Sequence, residues 1–571
     1  MNVSLTINPT TGRINALADD RAYADTLKRV ATREFDPRSL TWRYDPTPWV
    51  ARALVEWLAA VGPVSAADDV SALAARALPV PEVAGEVVRA IEAAEGLIPK
   101  HPRTRFRPWL HQYTGSRLIV DLYAVYLAWE MGTGKTKGVI DAILELTSYG
   151  RFVPVLIVCP ASVVQVWEGE FEKHVTDMSG IEVVASRSKH SVAKRTEIAK
   201  GAYAAAKAEG RTVVIVTNYE SFSLDGSPFL KFVSSVGWSL LVPDEAHRLA
   251  NPTSKISRNF YLKIGPRAKR KAFLSGTPMR NSPLDLFSQC RILDAGVMGA
   301  NKDQFLERYA VVDFWGSVVG TQNVEELSGK FGLLAHRVDK RKVLDLPPVT
   351  VSNRRFDLSA DAMAIYTKFG KELAVEFPSG SKTVAPNQIV KLLRLQQMTG
   401  GFVPAEIEED AGTGTKIEEI DDGKARLLAE IIYDLSESDP LVVFCRFRHD
   451  LDKVRGVAEA SGRGYRELSG RRNELREWQG EATGSVLGIQ VQAGSVGVDA
   501  TRAAVGVFYS TGFSLSDYEQ AKARLDRPGQ TRPVSLLNLI ATGTVDEAVF
   551  GSIEKKGNVV EAVIEHIRGL A

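Results

Sequence analysis

Glu130-Met131-Gly132-Thr133-Gly134-Lys135-Thr136 follows the apolar run LIVDLYAVYLAW and precedes the helical pattern GVIDAILEL. A glycine-rich turn that feeds a helix N-terminus aims backbone N–H groups at phosphate oxygens. In such a setting Met131, Gly132, Thr133 and Gly134 line the anion, Lys135 reaches the β- and γ-phosphates, and the Thr136 hydroxyl binds Mg²⁺. The pattern GxxxxGK[ST] is incomplete, because Trp129 holds its first position. On its own the segment also reads as an ordinary glycine-rich turn. A second signal lies downstream, where the apolar run SLLVP ends in Asp244-Glu245-Ala246-His247. A carboxylate at a strand end can hold Mg²⁺, and its neighbour can take a proton from an attacking water. Taken together, the two signals describe a nucleotide-hydrolysing site better than a solvated strand end. A third segment, Gln520 to Gln530, sets Arg524 and Arg527 three residues apart, on one face if helical. Arginines supplied from a second lobe stabilise charge that builds on a transferred phosphoryl group. A salt-bridged surface helix is the competing reading of that segment.

These residues need rigid elements to hold them. Short β-branched runs recur at 153–160, 211–218, 238–245, 270–278, 440–447 and 504–511, each followed by a turn and a helical pattern. Strands alternating with helices predict α/β architecture with parallel sheets. The runs fall into two groups, before about 290 and after about 435, so two α/β units are expected. Between them 351–400 reads helical, QIVKLLRLQQM being its clearest amphipathic piece. The acidic stretch 405–423 reads as a surface loop or linker, and 61–100 as a helical bridge from a separate N-terminal module. Within that module 34–58 predicts strand, turn, strand and helix, with Asp36-Pro37 and Asp45-Pro46 as turn signals. Phe35, Trp42 and Trp49 read as the core of a small module rather than a base-stacking platform.

A chain of 571 residues exceeds one ordinary core, and 44% hydrophobic with 25% charged residues is a globular balance. No apolar run reaches the length of a membrane span, and the first residues lack a signal-peptide layout. Cys159, Cys290 and Cys445 are too scattered for a metal cluster, and Cys159 and Cys445 lie in strand-like runs as small hydrophobes. A reducing cytoplasm fits, and the Ala/Val/Arg-rich make-up suggests a bacterial or phage origin. The net charge is only +2, but 101–107 and 263–271 are basic runs and 406–422 is acidic. Local basic surface is what binding to a phosphate backbone needs, whatever the net charge.

In order, the segments resemble the motifs of superfamily-two helicases, and specifically the Swi/Snf (sucrose non-fermenting, type two) DNA translocases. LAWEMGTGKT is similar to that family's LADEMGLGKT, in which Asp stands where this chain has Trp129. LIVCPASVVQVWEGEFEKH resembles motif Ia, with the family's Trp and Glu at Trp167 and Glu170. TNYES resembles motif Ib, DEAHRLAN motif II and LSGTPMRNSPLDLF motif III. LVVFCRF resembles motif IV, VQAGSVGVDAT motif V, and QAKARLDRPGQTRPV the family's QAxxRxxRxGQ. The likeness covers about 105–550. The chain departs from the pattern at Asp499, where the family has Asn, and at Leu525 and Pro528.

The resemblance implies an α/β fold of two RecA-like parallel-sheet lobes with helical insertions and a small N-terminal α+β module. The expected division is an accessory module over 1–60, possible DNA-binding included, a helical linker over 61–100 and a first lobe over 101–350. A helical insertion and linker over 351–415 and a second lobe over 416–571 complete it. It implies an ATP- and Mg²⁺-dependent enzyme that moves on double-stranded or forked DNA through backbone contacts. Lys135, Asp244, Glu245, Arg524 and Arg527 would be catalytic, with Thr136 and Asp244 on the metal. Gln112, in LHQYTG, would read the adenine, and Gly497 would join the nucleotide site. Ser162, Thr217, Asn218, Thr277, Arg446 and Gly494 would follow the DNA. A strand-separating DNA or RNA helicase and a non-enzymatic nucleic-acid scaffold with an inactive ATPase fold are the alternatives; intact Lys135, Glu245 and Arg527 speak against the second. The N-terminal 34–58 pattern weakly resembles the recognition repeat of annealing helicases. With little sequence after the last motif, a histone-remodelling role is not expected. Protein partners are not readable.

Overall fold

The computed structural model describes residues 3–18, 21–30, 32–149, 152–186, 190–280, 282–314, 318–372, 374–376, 382–384, 388–409, 412–491 and 498–554. The chain divides into two units, Met1–Val343 and Leu344–Ala571.

The first unit begins with a five-stranded sheet. Its order is Glu34–Asp36, Thr41–Tyr44, Ile14–Ala18, Val3–Ile7 and Val64–Ala66. Helix Pro48–Ala59 starts as its sequence dictates: Thr47 accepts a hydrogen bond from the Val50 N–H, and Pro48 occupies the first turn. The helix buries Val50, Ala51, Leu54 and Leu58 against Val3, Leu5, Ile14, Ala16 and Tyr44. The strand, turn, strand and helix expected over 34–58 are present. Two expectations need revision. Strand Val64–Ala66 and Val70 of helix Asp68–Ala75 belong to this module's sheet and core, so 61–100 is only partly a bridge. Of the three aromatics expected as module core, Trp42 packs against it, Trp49 packs against the core of the lobe, and Phe35 is exposed at the sheet edge, its ring 4.7 Å from that of Trp42.

The rest of the unit is built on seven parallel strands. Their order is Ala335–Val338, Ala124–Trp129, Lys271–Leu274, Leu240–Pro243, Pro154–Cys159, Thr212–Asn218 and Ile181–Ala185. Pro154–Cys159 and Leu240–Pro243 are buried at every position. A parallel sheet covered on both faces produces such unbroken apolar runs. The module is fastened to this lobe by Asp294, which sits at a non-helical break inside Leu286–Met298. Asp294 accepts from the Thr47 hydroxyl at 2.7 Å and from the Trp49 N–H at 3.3 Å.

The second unit is a six-stranded parallel sheet. Its order is Val349–Phe356, Val534–Ala541, Val505–Phe508, Leu441–Cys445, Val486–Gln490 and Tyr465–Leu468. The region expected as a helical insertion and linker, 351–415, is integral to this lobe. It contributes the edge strand Val349–Phe356. Helices Ala360–Glu372 and Gln388–Thr399 send Tyr366, Phe369, Leu395 and Met398 into the same core as Phe444 and Phe508. The acidic stretch is a hairpin, Phe402–Glu409 paired antiparallel with Gly412–Glu419, rather than a loop. Each unit thus holds one parallel sheet of α/β type, as the two groups of strand-like runs predict. Cys159, Cys290 and Cys445 are free and buried. No helix among the described residues is long and apolar enough to cross a membrane.

Candidate active site

Apart from Gln112, on helix Leu110–Asp121, the chemistry-bearing segments of the first lobe leave the carboxyl ends of strands of one sheet. Across that edge come the Gly-rich turn after Trp129, Ser275–Thr277 after Leu274, Asp244–Glu245 after Pro243, Ser162 after Cys159, and Asn218 at its own strand's end. This is where open parallel sheets place ligands.

Gly132 and Gly134 take the left-handed conformation, with φ of +81° and +79°. Gly134 is required for a second reason: a Cβ there would lie 2.2 Å from the Gln112 side-chain nitrogen. The turn delivers helix Lys135–Ser148 end-on, its first N–H groups unspent. Lys135 Nζ donates to the Trp129 carbonyl at 2.9 Å, so the ammonium lies under the turn. Gln112 donates to the Thr133 carbonyl at 3.1 Å and accepts from the Trp109 N–H at 3.0 Å. The nitrogen end of its amide holds the turn and the oxygen end caps its own helix, Leu110–Asp121, so reading an adenine would require it to give up these bonds. His111 Nε2 lies 2.8 Å from the same Thr133 carbonyl and therefore carries the proton.

Trp129 stands where the resembled motif has Asp, and the surroundings are cut to receive it. The indole is fully buried. A Cβ on Gly115 would lie 2.4 Å from the ring, and one on Gly138 would lie 3.4 Å from it. Its Nε1–H donates to His336 Nδ1 at 3.0 Å. Burial, and His111 nearby, push the His336 imidazole down to about 4, which keeps that nitrogen an acceptor.

Asp244 and Glu245 are buried at the strand end. Trp167 Nε1 donates to Asp244 Oδ2 at 3.1 Å, and the Tyr219 hydroxyl donates to the Asp244 carbonyl at 2.8 Å. Burial and the neighbouring Glu245 raise the Asp244 carboxyl to about 7 against the pull of Lys135. Burial likewise lowers the Lys135 ammonium, opposed by Glu245, Asp244 and Glu130. The two carboxylates and the lysine thus share one electrostatic environment. Glu245 adopts φ +54°, a left-handed conformation that costs a non-glycine residue about 1–3 kcal/mol and that clusters at functional sites. His247 Nδ1 lies 3.1 Å from Ser275 Oγ and 3.3 Å from Glu245 Oε2, tying this strand end to the next. Trp167, Tyr219, His111 and Ser275 were not among the expected site residues. The sequence points to Trp167 only through the motif resemblance, and no local pattern announces the carbonyl that Tyr219 meets.

The expected backbone contacts divide. Ser162 is exposed and Thr277 half-buried at the same sheet edge. Thr217 is fully buried and its hydroxyl lies 3.0 Å from that of Ser221, so its side chain does not present to a ligand. It is an interior residue of the strand end, not a surface one. The Asn218 side-chain oxygen Oδ1 accepts from the Ser221 hydroxyl at 2.6 Å and from Arg195 at 3.4 Å.

In the second unit, Arg446 is held between Gln396 and the ring of Phe513, whose centroid is 4.5 Å away, and burial lowers its guanidinium to about 10. Arg524 and Arg527 do not share a helix face, because helix Leu515–Lys522 ends before them. Pro528 disfavours helical backbone at Arg527, and Gly529 turns the chain at φ +102°. Arg524 is buried, and Arg527 donates to the Val498 carbonyl at 2.9 Å. Gln530 donates to the Thr501 and Ala503 carbonyls, so the terminal Gln of this motif clamps its own lobe. Gly494 and Gly497 lie outside the described residues.

Among known proteins, the chain is similar to the CHD3-type chromatin-remodeling factor PICKLE of Arabidopsis thaliana. The two are 26% identical over 474 residues, covering 78% of this chain and 32% of that one. It is similar to the human DNA annealing helicase and endonuclease ZRANB3, 26% identical over 456 residues, 77% of this chain and 38% of the relative. It therefore spans about a third of the length of these relatives. A solved Sulfolobus solfataricus SWI2/SNF2 ATPase core in complex with dsDNA is 21% identical, with a TM-score of 0.38 over 82% of this chain and 95% of that one. The SNF2-related domain model matches residues 111–399, just over half of the sequence, a span that begins at the histidine holding the Gly-rich turn and includes Lys135, Asp244 and Glu245. The chain belongs to the SNF2-related domain family.

Proposed function

We propose that this protein is an ATPase driven by DNA, which translocates along a double-stranded or forked DNA backbone and remodels DNA structures or protein–DNA complexes. The observation that carries the reading is that Lys135, after strand Ala124–Trp129, and Asp244 with Glu245, after strand Leu240–Pro243, lie at the carboxyl edge of one parallel sheet. A phosphate grip and an acidic pair in mutual reach are the parts that phosphoryl transfer to water needs. The helix N-terminus and the Gly132–Gly134 turn hold the phosphates, and Lys135 neutralises the β- and γ-oxygens. Glu245 accepts the proton of the attacking water. Thr136 and Asp244 fit Mg²⁺, since a hydroxyl and a carboxylate are hard oxygen donors. When bound, the ion would offset charge on the phosphate oxygens. Arg524 and Arg527 of the second lobe act on the same charge in the transition state, with Gly497 near the nucleotide. Ser162, Asn218, Thr277, Arg446 and Gly494 follow the DNA through phosphates, which carry no sequence information. Relatives named as a chromatin-remodeling factor and as a DNA annealing helicase agree with such work. Composition suggests that it is done in a bacterial or phage-infected cytoplasm.

Stepping along a backbone needs no base-pair opening. With ATP, the protein should displace the third strand of a triplex and leave a plain tailed duplex paired. Efficient unwinding of the tailed duplex, or activity on RNA alone, would replace this reading with that of a strand-separating helicase.

A further inference from the structure

The basic run 263–271 is not used by the site above. It lines a trough between the N-terminal module and the first lobe. One cavity there, about 640 Å³, is lined by Arg13 and Arg33 of the module and by Lys263, Arg267 and Arg291 of the lobe, with Asp45 as its carboxylate. A second, about 370 Å³, is lined by Lys28, Arg29 and Lys302. Thr32, Arg33 and Arg291 border both, so the two are continuous. Beneath them a space of about 160 Å³ has Lys271 on its wall.

Pairing leaves most of this charge uncompensated. Arg13 is paired with Glu34 and lies 3.6 Å from Asp45, Lys263 lies 2.9 Å from Asp225, and Lys28 lies 3.2 Å from Asp25. Among the described residues no carboxylate forms an ion pair with Arg33, Arg267, Arg291 or Lys302, nor with Arg29. The Arg291 guanidinium lies 3.9 Å over the ring of Tyr261, a layered surface that a nucleobase could extend. Like charges gathered along a cleft with low-dielectric walls focus an attractive field for anions. A small anion would be gripped in an enclosed pocket; an open trough with cations along both walls suits a polymer.

We propose that this trough binds a nucleic-acid strand through its phosphodiester backbone. The proposal goes beyond the ATPase reading and does not need it, because binding can be measured without nucleotide. Arg33 and Arg267 are exposed on opposite walls, and among the described residues neither guanidinium makes a side-chain hydrogen bond or ion pair. The test is fluorescence anisotropy of the full chain with a labelled single strand and, separately, a blunt duplex of equal length, across salt concentration. Arg33→Glu/Arg267→Glu should bind at least about ten-fold more weakly, with the slope of log K against log salt reduced by ~0.7 per lost contact on single strand or ~0.9 on duplex. Its circular dichroism and melting should match wild type. Lys302→Glu alone should give a smaller loss of the same kind. Loss confined to the single strand identifies a displaced or flanking strand as occupant; loss on the duplex identifies one backbone of a helix. A Lys135→Ala background should give the same difference, which separates this site from ATP turnover. Unchanged affinity and slope on both probes would overturn the proposal, as would an equal loss in the charge reversal Lys200→Glu/Lys207→Glu, exposed residues that do not line the trough.

Discussion

The fit of Trp129 against Gly115 makes a quantitative prediction about how this chain supports its nucleotide turn. Gly115 lies inside helix Leu110–Asp121, where alanine would ordinarily gain about 1 kcal/mol over glycine. Here the new methyl would stand 2.4 Å and 2.5 Å from two ring carbons of an indole that is itself fully buried. Overpacking of that kind costs about 1–3 kcal/mol, and a rigid, enclosed ring puts it at the upper end. Gly115→Ala should therefore destabilise by about 2 kcal/mol net. Trp129→Leu should cost about 3 kcal/mol, from lost burial and a void, and it also deprives His336 of the indole donor. In the double variant the void receives the methyl, so Gly115→Ala should become neutral or stabilising by up to ~1 kcal/mol. The predicted coupling is about 2–3 kcal/mol. Urea denaturation followed by far-ultraviolet circular dichroism, on the wild type, both single variants and the double, measures it. Additivity within about 0.5 kcal/mol would refute the argument, because residues that do not touch add to that accuracy.

Three further outcomes are expected. Arg527→Ala should lower ATP turnover by about 10³-fold with ATP affinity within a few-fold, since its charge acts mainly in the transition state; an unchanged kcat with a raised KM would assign it to ground-state binding. Trp167→Phe removes the donor to Asp244 Oδ2 without emptying the core, and should lower kcat by about 10–100-fold while melting stays near wild type. Burial lowers the Lys271 ammonium from 10.5 to about 8, Asp294 and Asp45 opposing. Between those values the unfolded chain holds a proton that the folded chain has shed, so this residue's contribution to stability rises with pH across about 8–10.5, by up to ~3 kcal/mol. Lys271→Met should flatten that part of the stability curve, and an unchanged curve would show that Lys271 does not titrate there.

Most of the parallel strands were legible because central strands buried on both faces leave unbroken apolar runs, as at Pro154–Cys159 and Leu441–Cys445. Strand Val349–Phe356 was not. It is an edge strand, largely exposed, so VTVSNRRF carries no such run and the region read as helical. The hairpin Phe402–Glu409 with Gly412–Glu419 was hidden by its glutamates, which are depleted in strands and suggested a loop. At the site, Lys135, Asp244 and Glu245 were readable from local spacing. The support was not, since Trp167, Tyr219 and His111 reach their partners from 77, 25 and 22 residues away. The three-residue spacing of Arg524 and Arg527 gives a common face only in a helix, and helix Leu515–Lys522 ends before them, ahead of Pro528 and Gly529.

The central claim is ATP hydrolysis governed by duplex DNA at the Lys135–Asp244–Glu245 site. Steady-state turnover measured side by side with no nucleic acid, single-stranded DNA, duplex DNA, forked DNA and RNA tests it most directly, for wild type, Lys135→Ala and Glu245→Gln. Duplex or forked DNA should raise wild-type turnover well above the other conditions. Both variants should be inactive in every condition, Glu245→Gln losing about 10²–10⁴-fold while still binding ATP. Wild-type turnover indifferent to DNA, or a Glu245→Gln variant that hydrolyses ATP at a near wild-type rate, would contradict the account.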